Sequence, residues 1–194
     1  MVDPQPQPFT TASPVLVNFD FSDIASGTGY ETYFLIESED SGGKDYHLTS
    51  NNDFSNTAVI VINGSTFDQD FDLTQFAIPR DAEGTALFSL PIKSSLGATP
   101  DVIIELYKWD GSSETIIGSA VHLDAAADTV TMRYFNYEIP YTHFAVGDTL
   151  RLRLQVVQTS AISVYFGIDP AGRTDANLSI TTTSKIKIPY LLNN

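Results

Sequence analysis

The side chains of this 194-residue sequence that could do chemistry are three histidines, a run of alternating aspartates and a set of aromatics near strand ends. His47, His122 and His143 fall in separate segments and no two of them lie at metal-ligand spacing. No Gly-x-Ser-x-Gly elbow and no His-Glu-x-x-His stretch is present, so neither a serine-nucleophile nor a zinc-hydrolase motif is written locally. Each histidine reads as a polar tip at a strand edge. Asp68, Asp70 and Asp72 alternate, and on a strand they would share one face about 7 Å apart, where like charges repel unless water or a hard cation intervenes. The run resembles the opening of a calcium loop but lacks its glycine and its distal glutamate, so it reads as a solvated face. With 24 acids in the chain, any carboxylate pair named for glycoside hydrolysis would be arbitrary. Tyr107 and Trp109 precede a turn, and Tyr134, Phe135, Tyr137 and Tyr141 cluster further on. Exposed aromatic platforms hold sugar rings and anchor protein interfaces, while most such side chains pack in cores. No catalytic, cofactor-binding or metal-binding residue is assigned, and the chain is expected to be non-enzymatic and to need no cofactor.

The elements that would position these groups are strands. β-branched and aromatic residues number 70 of 194, and they suit a pleated surface better than a helix. Short apolar or alternating runs are separated by turn signals such as Ser41-Gly42-Gly43, Asn63-Gly64 and Asp110-Gly111. Val59 to Ile62 followed by Asn63-Gly64 predicts a hairpin whose returning strand is Phe67 to Phe76. Asp101 to Trp109 and Glu114 to Leu123 predict a second hairpin about Asp110-Gly111. Thr129 to Tyr137, Asp148 to Gln158, Ser163 to Ile168 and Lys185 to Leu192 complete eleven or twelve strands. Ala125-Ala126-Ala127 is too short to nucleate a helix and reads as a turn.

In Thr149 to Val156 the leucines and Val156 share one face while Arg151, Arg153 and Gln155 share the other, as in an antiparallel sheet wet on one side. Lys185-Ile186-Lys187-Ile188-Pro189 repeats the alternation, with lysines and a proline suited to an edge strand. The fold expected is all-β, an antiparallel β-sandwich of jelly-roll kind. Residues 1–14 carry prolines at 4, 6, 8 and 14 and read as an extended N-terminal arm, with 15–194 as a single domain.

Acidic residues outnumber basic ones 24 to 10, giving a formal charge of −14. Such a surface repels phosphate backbones and anionic headgroups, so neither direct nucleic-acid nor membrane binding is expected. The absence of cysteine rules out disulfides, thiolate catalysis and cysteine-based metal sites. The first residues have neither a basic nor an apolar signal region, and cytoplasmic synthesis is the expectation.

Two stretches carry a resemblance. Gly147-Asp148-Thr149-Leu150-Arg151-Leu152, then Val164 to Asp175 with Phe166-Gly167-Ile168-Asp169-Pro170-Ala171-Gly172-Arg173, then Lys185-Ile186-Lys187-Ile188-Pro189-Tyr190, resemble a pattern in structural proteins of tailed bacteriophages, often marine ones. The segment Phe19 to Tyr30 is similar to the start of such chains. The resemblance implies a non-enzymatic virion protein with a β-sandwich fold, made in the host cytoplasm and located in the virion. Within the virion a capsid decoration or cement protein is the leading expectation. Such a protein would be a homo-oligomer, taken as a trimer, bound to the major capsid protein or another virion protein through the arm. A tail, baseplate or head-fibre subunit is the first alternative, and a carbohydrate-binding module using Trp109 is the second. Asp169 to Asp175 reads as a turn in which Arg173 pairs with an aspartate.

Overall fold

The computed structural model describes residues 17–18, 28–40, 43–51, 59–95, 100–125, 129–168, 174–175, 180–181 and 183–192. The expected N-terminal arm, the alanine turn at 126–127 and the Asp169–Arg173 loop lie outside them. The described residues form strands and connecting turns, with no helix. In chain order they are β1 (Val17–Asn18), β2 (Thr28–Asp40), β3 (Gly43–Thr49), β4 (Val59–Leu73), β5 (Arg80–Ser94) and β6 (Asp101–Trp109). There follow β7 (Glu114–Asp124), β8 (Thr131–Phe144), β9 (Thr149–Gly167), β10 (Thr174–Asp175), β11 (Ile180–Thr181) and β12 (Lys185–Leu191). The main sheet runs β7-β6-β9-β4-β3-β2-β12-β5-β8, with β1 on β2. Its pairs are antiparallel except for β3 with β4, where His47 lies beside Asp72 and Leu48 beside Leu73.

The sheet folds back into a sandwich. The far end of β9 also pairs with β5, from Ile92 opposite Phe166 to Ser94 opposite Val164. At the other margin β7 meets β8 where Gly118 adopts φ +72°; a Cβ there would lie 2.3 Å from the Glu138 carbonyl oxygen. Tyr137 passes through the same joint: its hydroxyl donates to the Ile117 carbonyl at 2.5 Å and accepts from the Leu106 amide at 3.3 Å. The enclosed core takes one face of each strand: Val102, Ile104 and Leu106 from β6, Leu150, Leu152, Leu154 and Val156 from β9, Phe88 and Leu90 from β5, and Ile186 and Ile188 from β12. Phe88 stacks on Phe135 with ring centroids 4.8 Å apart.

The all-β sandwich agrees with the sequence expectation, and so does the hairpin about Asp110-Gly111. There Trp109 faces Glu114 and Gly111 has φ +91°. The Asp110 carboxylate accepts from the amides and hydroxyls of Ser112 and Ser113, which holds its pKa far below the usual carboxylate range.

Three expectations are corrected. Asn63-Gly64 makes no hairpin turn: β4 runs straight through it, with Asn63 opposite Ser163 and a bulge between Gly64 and Thr66. Its partner β9 is likewise one 19-residue strand where two were expected. A long partner that pairs on both sides of a glycine turns a chain-reversal signal into a bulge. β12 is not an edge strand either. It lies between β2 and β5, and Pro189 is accommodated where the β12–β5 register breaks between Lys187 and Tyr190, the kind of position at which a central strand tolerates a residue without an N–H.

Candidate functional site

The outer face of β7, β6, β9 and β4 is built by alternation and register. Each inward leucine of β9 leaves an arginine outward, and the rows Tyr107–Arg151–Asp72 and Glu105–Arg153–Asp70 cross three strands. Arg151 donates through Nε to Asp72 Oδ1 at 2.6 Å and through Nη2 to Asp72 Oδ2 at 2.7 Å. Arg153 makes the same two-pronged pair with Asp70, at 2.7 and 2.8 Å. Glu114, from the edge strand, accepts from Arg153 Nη2 at 2.9 Å and from Arg151 Nη1. The hydrogen bonds to Asp72 and Asp70 are the largest influences that raise the pKa values of Arg151 and Arg153. These are fixed charges.

The aromatics belong to the same lattice. The Arg151 guanidinium lies 4.9 Å from the Trp109 ring centroid and that of Arg153 4.7 Å from Tyr107. One ring face of Trp109, of the kind a sugar would stack on, is therefore occupied by a cation. Tyr107 donates to Glu105 at 2.8 Å, and burial followed by that carboxylate raises its pKa. The expected solvated aspartate face is thus corrected: Asp70 and Asp72 are bound, and only Asp68, 3.7 Å from Arg153 Nε and 58% exposed, keeps much of its water. The signal was present in the alternating Arg151-Leu152-Arg153 of the facing strand, but which strand faces which is not written in either segment. Among the described residues no three histidine, aspartate or glutamate side chains converge as metal ligands.

The histidines are dispersed, as the sequence indicates, but each has a partner. His122 Nδ1 lies 2.8 Å from Asp101 Oδ2 and His143 Nδ1 2.6 Å from Asp81 Oδ1, both toward solvent. His47 Nε2 lies 2.9 Å from Ser38 Oγ across the β2–β3 hairpin. His47, but not Ser38, lines a cleft of about 440 Å³ together with Ile36, Leu48, Thr49, Asn51 and Leu73. Sequence reasoning did not bring Ser38 and His47 together, because their approach depends on the register that sets Ile36 opposite His47.

A partly buried polar cluster joins β2, β5 and β12. Tyr33 donates to Glu31 at 2.5 Å and lies 3.3 Å from the Tyr190 hydroxyl, while Arg80 pairs with Glu31 and lies 5.3 Å from the Tyr190 ring. Burial is the main cause that pushes both tyrosine pKa values up. Of the other aromatics, Tyr137 is core, whereas Tyr134 and Tyr141 are 73% and 60% exposed.

No family model and no curated protein matches the chain. Solved structures match the fold. A CocE/NonD family hydrolase from Staphylococcus aureus superposes with a TM-score of 0.54 at 11% identity, over 85% of this chain and 37% of that one. An α-amino acid ester hydrolase superposes with a TM-score of 0.50 at 11% identity, over 63% of this chain and 25% of that one. This chain thus spans about a quarter to two fifths of those proteins. Looser similarities, with TM-scores of 0.35 and 0.30, reach a carbohydrate-binding module and infectious bursal disease virus and are too distant to bear on function. The expectation of a non-enzymatic chain is corrected by these hydrolase neighbours: β-sandwiches of this shape form part of hydrolytic enzymes. At such identities the likeness is one of fold.

Proposed function

We propose that this chain is a β-sandwich unit of a phage virion that works through its outer faces, as a decoration protein on the capsid surface. The observation that carries a binding or structural role is the pre-formed lattice on β7, β6, β9 and β4. Two forked arginine–carboxylate pairs and two cation–π contacts hold that face in one geometry before any partner arrives, which lowers the ordering cost of docking. The phage setting rests on the sequence resemblance near both ends. A net charge of −14 suits a position outside the shell, away from packaged nucleic acid. Fractionating purified virions, identifying the chain by mass spectrometry and placing it by electron microscopy tests the reading. Its absence from intact particles would overturn it.

A second reading is favoured by the hydrolase fold neighbours and by the contact of Ser38 with His47, which itself lines the cleft. On it, the chain takes part in ester or amide hydrolysis, with His47 as base toward the Ser38 hydroxyl. Turnover of a panel of aryl esters and aminoacyl anilides by the full chain, lost in Ser38→Ala and His47→Ala, would support it. Equal background rates in all three would remove it.

A further inference from the structure

The opposite outer face, on β2, β12, β5 and β8, sets two lysines of β12 side by side. Lys185 lies between Phe34 and Ser89, with Tyr134 beyond, and Lys187 lies between Thr32 and Leu87. Leu87 and Tyr134 are 41% and 73% exposed. Six other basic side chains are engaged: Arg80, Lys108, Arg151 and Arg153 in ion pairs, Arg133 on the Asp124 carbonyl, and Lys93 beside the Tyr165 ring. Lys185 and Lys187 have no carboxylate at ion-pair distance among the described residues. Further along this face Glu138 accepts from Thr85 at 2.9 Å and Glu83 is exposed, so the lysines form a local basic patch on a face that is not basic as a whole. In a chain with 24 acids, two neighbouring lysines without a carboxylate partner among the described residues, set beside exposed apolar side chains, form a patch suited to an acidic occupant.

We infer that this face docks the acidic face of a second copy of the chain. That face bears Asp68, Asp70, Asp72, Glu105 and Glu114 against Arg151 and Arg153, five negative charges to two positive. The contact joins different surfaces on the two copies, so it is heterologous and propagates into a ring or an open array. It does not depend on the virion setting and stands or falls separately from it.

Salt sets the balance between the local attraction and the repulsion of two bodies of charge −14. At about 0.01 M the screening length is about 30 Å and whole-body repulsion wins; near 0.15 M it falls to about 8 Å, which leaves the close complementary pairs; at about 1 M, with about 3 Å, these too are weakened. Association therefore peaks at intermediate ionic strength.

Sedimentation of the full chain at those three salt concentrations reads this directly. The expected result is self-association strongest near 0.15 M, weakened more than about tenfold in Lys185→Glu/Lys187→Glu and in Asp68→Lys, with melting temperatures unchanged. Mixing the two variants restores association, because the acidic face of the first meets the lysine face of the second. A wild-type chain that stays monomeric near 0.15 M, a lysine double variant that associates like wild type, or a mixture that stays monomeric would each overturn the inference.

Discussion

On the face formed by β7, β6, β9 and β4, both arginines are gripped by carboxylates and roofed by or laid over aromatic rings, whereas on the face formed by β2, β12, β5 and β8 two lysines stand without carboxylate partners among the described residues. Both faces arise from the same device, a strand with hydrophobic residues inward and cations outward. What differs is the neighbour. β9 is flanked by β4 and β6, whose outward positions are aspartates, glutamates and aromatics. β12 is flanked by β2 and β5, whose outward positions beside the lysines are Phe34, Thr32, Ser89 and Leu87. An alternating cationic strand is thus a lattice member in one place and an open surface in the other. The guanidinium fork also favours the first outcome, since it meets a carboxylate with two parallel hydrogen bonds where an ammonium offers a point charge.

The largest effect is expected at the joint that keeps the two faces back to back. Gly118→Ala places a methyl group 2.3 Å from the Glu138 carbonyl oxygen in a left-handed conformation. It should lower stability by about 3 kcal/mol in denaturant unfolding. A loss below about 1 kcal/mol would show that β7 and β8 part easily and that the faces are not rigidly coupled.

Next is the lattice itself. Arg153→Ala removes the forked partner of Asp70, leaves Asp70 and Glu114 to share Arg151 alone and removes the cover from Tyr107. The expected cost is about 1 kcal/mol once solvent screening is allowed for, falling as salt rises. If the variant were as stable as wild type at low salt, the lattice would be a set of independent solvated charges.

The polar cluster of Tyr33, Tyr190, Glu31 and Arg80 gives a pH dependence. Tyr33 and Tyr190 have folded pKa values above the unfolded value of about 10. The stability linked to their protonated forms is therefore complete below about pH 10 and is lost as pH rises through the folded values. Tyr33→Phe should flatten the alkaline decline in unfolding free energy. An unchanged slope would remove Tyr33 from the decline and assign it to Tyr190, Tyr107, Tyr137 and Tyr141, whose pKa values are also raised.

The smallest effect on stability is expected where the effect on assembly is greatest. Lys185→Glu/Lys187→Glu should change the unfolding free energy by no more than about 0.5 kcal/mol, because neither lysine has an ion pair to lose among the described residues. A larger loss would mean that these lysines belong to the fold and are not an open surface.

Much of the architecture was legible in the residues. The leucines of Thr149 to Val156 are all inside, and Asp110-Gly111 turns the chain as its type demands. The sequence was less informative where a signal has two structural uses. Asn63-Gly64 suits a tight turn and also a bulge, and only the presence of a 19-residue partner strand selected the bulge. Lys185-Ile186-Lys187 with Pro189 suits an edge, yet a register break admits the proline at the centre of a sheet. The candidate site shows the same limit. Asp68, Asp70 and Asp72 could be placed on one face from their spacing, but their cations lie about eighty residues away in sequence.

The sequence by itself determined which face of each strand is buried, because that follows from a period of two and the free energy of removing apolar surface from water. It also determined the net charge, the lack of thiol chemistry and the positions where the chain can reverse. The tertiary structure alone decided which outward charges meet. Pairing between strands is set by backbone hydrogen bonds and registers that span the whole chain. The same arginine, lysine or aspartate becomes bound or free according to the neighbour those registers supply.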